Sequence, residues 1–465
     1  MMKNISLQAS IYFILAVAVL LLSLLLPNAW MVSLGLIILA IITATTWKPY
    51  LPNVFFFILA YHLLQVITFP LYINYSWNGN VDYNTEHAVK AFIVALIGIL
   101  VLWLVIVKLV YKNVVITKEI FEIHVAQLNP KKVLIVYLFL YFIANIAGTF
   151  ADSGVLRQVF INIQLLKWMG FVLLGYVSIR SKVYRLYFFI AFSLEFVGGF
   201  FSFFSSFKMV FFYTAIILMT YVRNISLKTV VQFFTIGTFL FIIIVYWTAI
   251  KGEYRAFLNQ GTKTQTVQVS QSDAFNKLNE LASSVSTTVF NETLGDLYYR
   301  LQYVFHLSKA MDIVPSEVPY QNGSVWGENI KFVLVPRFLD PDKGTIDASL
   351  KTSKFTGIEF AGVDKGTSIS LGYFGDCYVD FGIPGMFAVL AIIAFMWVRI
   401  YRYFLLKATS NLVVNYSITI AFFVQFAYFE SDGTFMLGRL YTTFVVFFLF
   451  KILFFKRIER YITSW

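Results

Sequence analysis

Apolar runs long enough to cross a lipid bilayer recur along almost the whole of this 465-residue chain, and they limit its fold more than any motif does. A bilayer offers no water to unpaired peptide groups, so such runs must form helices whose backbone hydrogen bonds are internal. Charged residues make up only 13% of the sequence, too few to cover the surface of a soluble domain. The chain is therefore predicted to be an all-α polytopic membrane protein.

The apolar runs divide into about twelve predicted transmembrane helices. They lie near residues 9–26, 29–46, 53–74, 87–111, 132–150, 158–179, 184–205, 209–222, 229–250, 371–398, 411–428 and 438–456. The first run follows Lys3 as in a signal peptide, but residues 27–30 lack a cleavage site of small residues, which favours an uncleaved helix. The charged segment 112–131 is predicted to be an interfacial helix or a cytoplasmic loop.

Lysine and arginine are distributed unequally between the two sides of the membrane that these spans define. One side holds most of the loop cations: Lys3, Lys48, Lys108, Lys112, Lys118, Lys131, Lys132, Arg180, Lys182, Arg185, Arg223, Lys228, Arg399, Arg402, Lys407, Lys456, Arg457 and Arg460. The short loops of the other side hold only Arg157, Lys208 and Arg439. Because cytoplasmic loops retain positive charge, both termini are predicted to be cytoplasmic. The net charge of +12 then reflects topology and does not indicate a nucleic-acid partner.

One long polar segment interrupts the apolar pattern. It divides the chain into three predicted parts: residues 1–250 with nine spans, 251–370 as a large external loop, and 371–465 with three spans. Apolar residues at helical spacing between 273 and 309 predict one or two amphipathic helices on the outer leaflet. Residues 326–339 are too few to span the bilayer, and they predict a re-entrant or interfacial helix that brings Arg337 to the membrane surface.

Seven cations are predicted at the outer ends of helices or in the external loop. They are Arg157, Lys208, Lys251, Arg255, Arg300, Arg337 and Arg439. Each one alone is explained equally well as a helix-end residue bound to lipid phosphate. As a set they favour a bound anion, because lysine and arginine are normally depleted from the short loops on the outer side of a membrane. A diphosphate is a suitable anion, since Arg binds it bidentately and Lys adds a point charge.

Other ionisable residues leave alternatives open. Glu430 and Asp432 can pair with Arg439 or cap the last helix, and Asp376 and Asp380 can be helix-terminal charges. His306 fits a packed amphipathic face. Lys167 and Glu195 lie inside predicted spans, where either can line a polar cavity, or Lys167 can be neutral or paired. No metal site is predicted: Cys377 is the single cysteine, the four histidines are scattered, and the residues 340–342 (Asp-Pro-Asp) indicate a turn.

The external loop contains the segment with the strongest family resemblance. The segments of the resemblance are residues 318–320 (Val-Pro-Tyr), Gly323 and residues 335–343 (Val-Pro-Arg-Phe-Leu-Asp-Pro-Asp-Lys). They are followed by glycines between 372 and 385 that allow either close helix approach or a kinked entry into the next span. On these residues the chain resembles Wzy-type oligosaccharide repeat unit polymerases, within the GT-C-like lipid-dependent membrane glycosyltransferases that include O-antigen ligases. The family run reads Pro-Arg-aromatic-Leu-Trp-Pro-x-Lys-Pro. Asp340 and Gly344 depart from it, and Lys208 stands where Arg is often found.

The resemblance implies a reaction and a location. A growing glycan passes from undecaprenyl diphosphate to the non-reducing end of one lipid-linked repeat unit, at the periplasmic face of the bacterial inner membrane, without a metal or other cofactor and with inversion. The diphosphate would be held by Arg337, Arg300, Arg255, Lys251 and Lys208, together with Arg157 and Arg439. Glu430 or Asp432, and after them Glu253, would take the acceptor proton. The external loop would act as a lid over the lipid diphosphate.

Three alternatives remain from the sequence. An O-antigen ligase would share the donor but use a lipid core acceptor. A sugar or lipid exporter is compatible with about twelve spans, although the two halves show no internal repeat. A scaffold without enzymatic activity is the third. Membrane lipids are expected partners in every case, and the resemblance leaves open a Wzz-type chain-length regulator, the sugar and the identity of the polymer.

Overall fold

The structure of the protein is a computed structural model that describes most of the chain. The described residues are 17–19, 21, 24–111, 116–150, 157–181, 184–200, 207–223, 227–262, 267–335, 340, 344, 347–360 and 368–464, with the backbone alone at 157, 227–230, 233 and 234. Every regular element among these residues is a helix. The fold is therefore all-α, as predicted.

Helices follow one another with short connections. The first part contains α1 (Ala29–Thr46), α2 (Val54–Ser76), α3 (Ala88–Ile106, extended by the π-helical turn Val107–Tyr111), α4 (Lys118–Ala126), α5 (Pro130–Thr149), α6 (Arg157–Gln164), α7 (Leu166–Arg180), α8 (Arg185–Phe200), α9 (Lys208–Tyr221) and α10 (Leu227–Leu258). The predicted external loop contains α11 (Gln271–Ser284), α12 (Thr287–Leu301), α13 (Val304–Ile313), α14 (Ser324–Leu334) and α15 (Ala348–Thr356). The last part contains α16 (Gly372–Lys407), α17 (Leu412–Phe423, continued by the 3-10 turn Val424–Ala427), α18 (Gly433–Phe450) and α19 (Lys456–Thr463).

Among the described residues, eight helical segments are long and apolar enough to cross a membrane. They are Ala29–Thr46, Val54–Ser76, Ala88–Tyr111, Pro130–Thr149, Gln158–Arg180, Thr235–Leu258, Gly372–Lys407 and Gly433–Thr463. Two shorter apolar helices, Lys208–Tyr221 and Leu412–Ala427, match the predicted spans 209–222 and 411–428. These segments support an α-helical membrane protein, while the total of twelve spans and their orientation stay predictions. The predicted span 9–26 lies largely outside the described residues, and α8 covers 16 residues of the predicted span 184–205.

Helix α2 lies at the centre of the packing. It is apolar on every side, which is typical of a helix surrounded by protein, and Phe55, Leu59 and Val66 have no exposed surface. It packs against α1, α3 and, from the external loop, α12. This position brings two polar side chains, His62 and Gln65, into the interior of the protein.

The external loop packs back onto the membrane helices. The Tyr75 hydroxyl at the end of α2 donates to the Asn291 carbonyl of α12 at 2.8 Å, and α13 packs against α3, α15 and α16. Helices α11 and α12 lie where amphipathic helices were predicted, and α14 covers the first part of the predicted short apolar segment 326–339. The external loop thus contacts the membrane helices through α12 and α13.

Helix α16 bends at Gly382, where φ is 65° and ψ is −173°. Glycine adopts this conformation without a steric penalty, so the kinked entry, one of the two alternatives for these glycines, is present. Just before the bend, the Asp380 carboxylate accepts hydrogen bonds from the backbone nitrogens of Val325 (3.1 Å) and Trp326 (2.7 Å). Asp380 therefore caps α14, a neighbouring helix, rather than its own.

Candidate functional site

Glu430 lies in the loop 428–432, between the turn that ends α17 and the first residue of α18. Its Oε2 accepts a hydrogen bond from Gln65 Nε2 at 2.7 Å. The Oε1 of the same Gln65 accepts from the backbone nitrogen of Phe429 at 3.0 Å. Gln65 is only 2% exposed, so its amide fixes both the loop and the carboxylate. Sequence reasoning missed Gln65; a polar residue inside an apolar span was the available signal.

Two of the predicted cations, Lys208 and Arg439, lie near this carboxylate, and Arg255 and Arg300 lie near Lys208. We call these four residues the cation cluster. The Lys208 ammonium at the start of α9 is subject to the charges of Glu430, Arg300 and Arg255. The Arg439 guanidinium on α18 is subject to those of Glu430 and Asp432. The cluster joins α9, α10, α12 and α18, which are far apart in sequence.

The ring of Tyr428 separates two members of the cluster. Lys208 Nζ lies 5.3 Å from its centroid and Arg439 Cζ lies 5.7 Å from it, which are cation–π distances. Arg439 Nη1 also donates to Ser431 Oγ at 2.6 Å and to the Gln425 carbonyl at 3.2 Å. Neutral groups thus hold these two cations in place without cancelling their charge.

The charges of the cluster are poorly balanced. In the part of the chain that the structure describes, the ion pairs within 4.0 Å include none to Lys208, Arg300 or Arg439. Glu430 acts on Lys208 and Arg439, and Asp432, which already pairs with Lys351, also acts on Arg439. Lys208, Arg300 and Arg439 thus still leave an excess of positive charge at the site. Because Lys208 and Arg439 are half-buried, such an excess is disfavoured there unless an anion balances it. The arrangement is therefore suited to bind an anionic group.

Two titratable groups of the external loop border the site. Burial, and then the negative charge of Glu430, raises the pKa of Tyr303, so its hydroxyl remains protonated. Burial lowers the pKa of His306 to about 4, and the rings of Tyr299, Tyr303 and Phe360 surround it. His306 is therefore neutral at physiological pH and packed, in agreement with the sequence interpretation.

The remaining predicted cations lie in different surroundings. Lys251 is half-buried on α10, one helical turn before Arg255. Arg157 begins α6 and its side chain lies outside the described atoms, but α6 packs on α18, where Asn162 and Thr443 share a hydrogen bond. Arg337 lies outside the described residues. The structure thus brings four of the seven predicted cations together.

The three candidate carboxylates are clearly distinguished by their partners. Glu253 is exposed and pairs with Lys277 of α11 at 3.0 Å. Asp432 has no exposed surface, caps α18 by accepting from Phe435 N at 2.9 Å, and pairs with Lys351 at 3.1 Å. Glu430 alone is half-buried beside the cation cluster, with Gln65 as its partner. Glu430 is consequently the carboxylate best placed to accept a proton.

An apolar groove of about 560 Å³ runs between α14, α16 and α18. Its walls are formed by Trp326, Ile330, Val333, Leu334, Phe381, Val389, Ile392, Ile393, Met396, Ile400, Leu437, Leu440, Tyr441 and Phe444. Trp326 Cη2 lies 3.3 Å from where a Cβ on Gly433 would be. Because Gly433 follows Glu430 by three residues, this end of the groove lies close to the loop 428–432.

Another ion pair, separate from the cation cluster, lies inside the helix bundle. Lys167 Nζ of α7 is 2.5 Å from Glu195 Oε2 of α8, and the Tyr137 hydroxyl donates to Glu195 Oε1 at 3.5 Å. Lys167 Nζ also lies 4.9 Å from the ring centroid of Trp168. Of the alternatives that the sequence left for these residues, the structure shows Lys167 paired with Glu195.

Within the described ranges, no three His, Cys, Asp or Glu side chains converge closely enough to hold a metal ion. Asp340 is described, whereas Asp342 is not. Metal independence stays a prediction.

Comparison with known proteins gives no relative. No family model, no curated protein and no solved structure matches this chain. The resemblance to Wzy-type polymerases therefore remains a prediction from the sequence.

Proposed function

We propose that the protein is a membrane glycosyltransferase that polymerises undecaprenyl-diphosphate-linked oligosaccharide repeat units on the outer face of the bacterial plasma membrane. One observation carries the proposal: a half-buried carboxylate, Glu430, faces a cluster of cations in which Lys208, Arg300 and Arg439 have no described carboxylate partner within 4.0 Å. Transfer from a lipid diphosphate needs both parts, positive charge for the leaving group and a base for the acceptor hydroxyl. The family resemblance of the external loop agrees with this chemistry.

The cation cluster would bind the diphosphate of the donor lipid. Arg255, Arg300 and Arg439 offer forked donors for its oxygens, and Lys208 adds a point charge. As the bond between the anomeric carbon and the diphosphate oxygen breaks, these cations neutralise the charge that develops on the leaving group. Undecaprenyl diphosphate then departs with the bonding electron pair.

Glu430 would act as the general base of the transfer. It takes the proton of the acceptor hydroxyl while that oxygen forms its bond to the anomeric carbon from the side opposite the leaving group, so the configuration inverts. The hydrogen bond from Gln65 keeps the carboxylate oriented for this step. The reaction is balanced without a further reactant.

The apolar groove would receive part of the polyprenyl chain. Its walls belong largely to α16 and α18, which are both long and apolar enough to span the bilayer, so a hydrocarbon chain is the chemically suitable occupant. Its Trp326 end lies near the loop 428–432. A lipid bound there would present its head group toward Glu430.

Filling this groove tests the assignment. Ile392 lines it and is 58% exposed, so Ile392→Trp is expected to block lipid without disturbing the core. We expect the KM for lipid-linked substrate to rise about tenfold, a typical cost of altering an apolar pocket, with little change in kcat. The matched control is Ile135→Trp on α5, 52% exposed and outside the groove. Equal KM values for the two variants would remove the groove from the proposal.

Loss of one cation tests the anion site. Arg300 is exposed, so Arg300→Ala should leave the fold intact. We expect kcat/KM to fall about tenfold to 100-fold, because a charge-assisted hydrogen bond contributes about 1.5–3 kcal/mol. The measurement is the initial rate of undecaprenyl diphosphate release. Lys331→Ala, which removes an exposed cation of α14, is the control, and a similar rate in both variants would contradict the role of Arg300.

A direct assay decides the function. Lipid-linked oligosaccharides are extracted from cells that make them but lack this protein, and they are added to the purified protein in proteoliposomes. We expect a ladder with increments of one repeat unit and one undecaprenyl diphosphate released per bond formed. Transfer only to a lipid core acceptor would indicate a ligase, and flux without new glycosidic bonds would indicate an exporter. Either result would overturn the proposed polymerase.

A further inference from the structure

A buried ion-pair group connects the external loop to two membrane helices. Lys351 Nζ of α15 lies 2.9 Å from Asp376 Oδ2 of α16 and 3.1 Å from Asp432 Oδ2 at the start of α18. Both carboxylates have no exposed surface. We call these residues the Lys351 triad. Its members belong to three different helices or helix ends, so it fixes their relative positions.

The triad is tied further into the backbone of α18. Gly433 N donates to Asp376 Oδ2 at 2.8 Å, and Phe435 N donates to Asp432 Oδ1 at 2.9 Å. Burial alone would lower the pKa of Lys351, but the two carboxylates raise it, so the ammonium remains charged. Lys351 therefore supplies the positive charge that these two buried carboxylates share.

The loop 428–432 is held firmly at three other points. Gln65 binds Phe429 N and the Glu430 carboxylate. Tyr373 N donates to the Ser431 carbonyl at 2.7 Å, and Arg439 donates to the Ser431 hydroxyl. The remaining residue at the end of the loop is Asp432, and its ion-pair partner comes from α15. The position of α15 thus bears directly on a loop whose middle residue is Glu430.

We propose that Lys351 is a positioning residue for Glu430: when α15 is docked, its bond to Asp432 orders the loop 428–432 and orients the carboxylate. The inference rests on the proposed function, in which Glu430 is the base. According to this inference, the external loop also helps to order the loop 428–432, in addition to acting as a lid. Among the described residues, the side chain of Lys351 contacts Asp376 and Asp432 but neither Glu430 nor a member of the cation cluster.

The test removes the two ion pairs of the Lys351 triad separately. Asp432→Asn removes the ion pair at the loop while Asn still caps α18, and Asp376→Asn removes the other ion pair and is the matched control. The combined variant Lys351→Met, Asp376→Asn, Asp432→Asn leaves no unpaired charge in the core, so it is expected to fold. Hydrogen exchange of a peptide covering 428–432 is measured together with kcat and KM for polymerisation.

We expect faster exchange in the loop and a kcat about tenfold to 100-fold lower for Asp432→Asn and the combined variant, with the KM for lipid-linked substrate changed less than about twofold. Asp376→Asn should show a smaller effect on both. Wild-type exchange and kcat in the combined variant would overturn the inference. If the wild-type protein forms no polymer, the proposed function fails, whereas unchanged exchange in the variants would separately refute the ordering role of Lys351.

Discussion

Replacement of Glu430 by Gln is expected to lower the rate of glycan transfer by a factor of about 10²–10⁴, the usual contribution of a general base. The amide has nearly the shape of the carboxylate and its oxygen can still accept the hydrogen bond from Gln65. It cannot take a proton from the acceptor hydroxyl, so kcat should fall while the KM for lipid-linked substrate stays within a few-fold. The measurement is release of undecaprenyl diphosphate in a single turnover.

A matched control separates the role of Glu430 from loss of charge in general. Glu317 is an exposed carboxylate of the external loop, and Glu317→Gln should transfer at the wild-type rate. The same assay on Glu253→Gln tests the carboxylate that the sequence also offered. If that variant loses transfer and Glu430→Gln retains it, the base lies on α10 and the assignment of Glu430 is refuted.

Replacement of Glu195 by Leu is expected to destabilise the protein by about 3–5 kcal/mol. Glu195 has a side chain only 4% exposed and pairs with Lys167 at 2.5 Å. Removing it leaves an ammonium inside the helix bundle without its counter-charge, which is costly in an apolar medium. The measurement is thermal unfolding of the purified protein in lipid nanodiscs.

The double variant Lys167→Met, Glu195→Leu provides the control for this second prediction. It removes both charges and leaves apolar side chains of similar size, so it should recover most of the lost stability. Recovery would establish that the penalty arises from the unpaired charge and not from altered packing. A single variant as stable as the wild type would show that Lys167 reaches water or another partner when Glu195 is absent.

The sequence predicted the helical membrane fold because long apolar runs allow few alternatives. It also singled out seven cations, because cations are unusual on the predicted outer side, and four of them, Lys208, Arg255, Arg300 and Arg439, form the cation cluster. The argument needed only the number of such cations and their predicted side of the membrane, without knowledge of the packing. The spans Val54–Ser76 and Gly372–Lys407 likewise follow from length and hydropathy alone.

The side-chain hydrogen bonds and ion pairs of these residues could not be predicted in the same way. Gln65 and Glu430 are separated by 365 positions and Lys351 and Asp432 by 81, so no local spacing connects them. Asp432 and Glu430 look alike in the sequence, two residues apart, yet one is a buried cap with a lysine partner and the other borders the cation cluster. Only the packing of α2, α15 and α18 distinguishes the two carboxylates.

The bend at Gly382 has a consequence for how the protein fits its bilayer. Residues 383–407 form a rod about 37 Å long, at about 1.5 Å per residue, which exceeds the roughly 30 Å of a typical hydrocarbon core. Residues 371–380 are buried throughout, so they are held by protein on all sides. A change of tilt that accommodates a thicker or thinner bilayer can therefore be taken up at one glycine. Residues 371–380, which include Asp376, then keep their position when the bilayer is thicker or thinner than the helix is long.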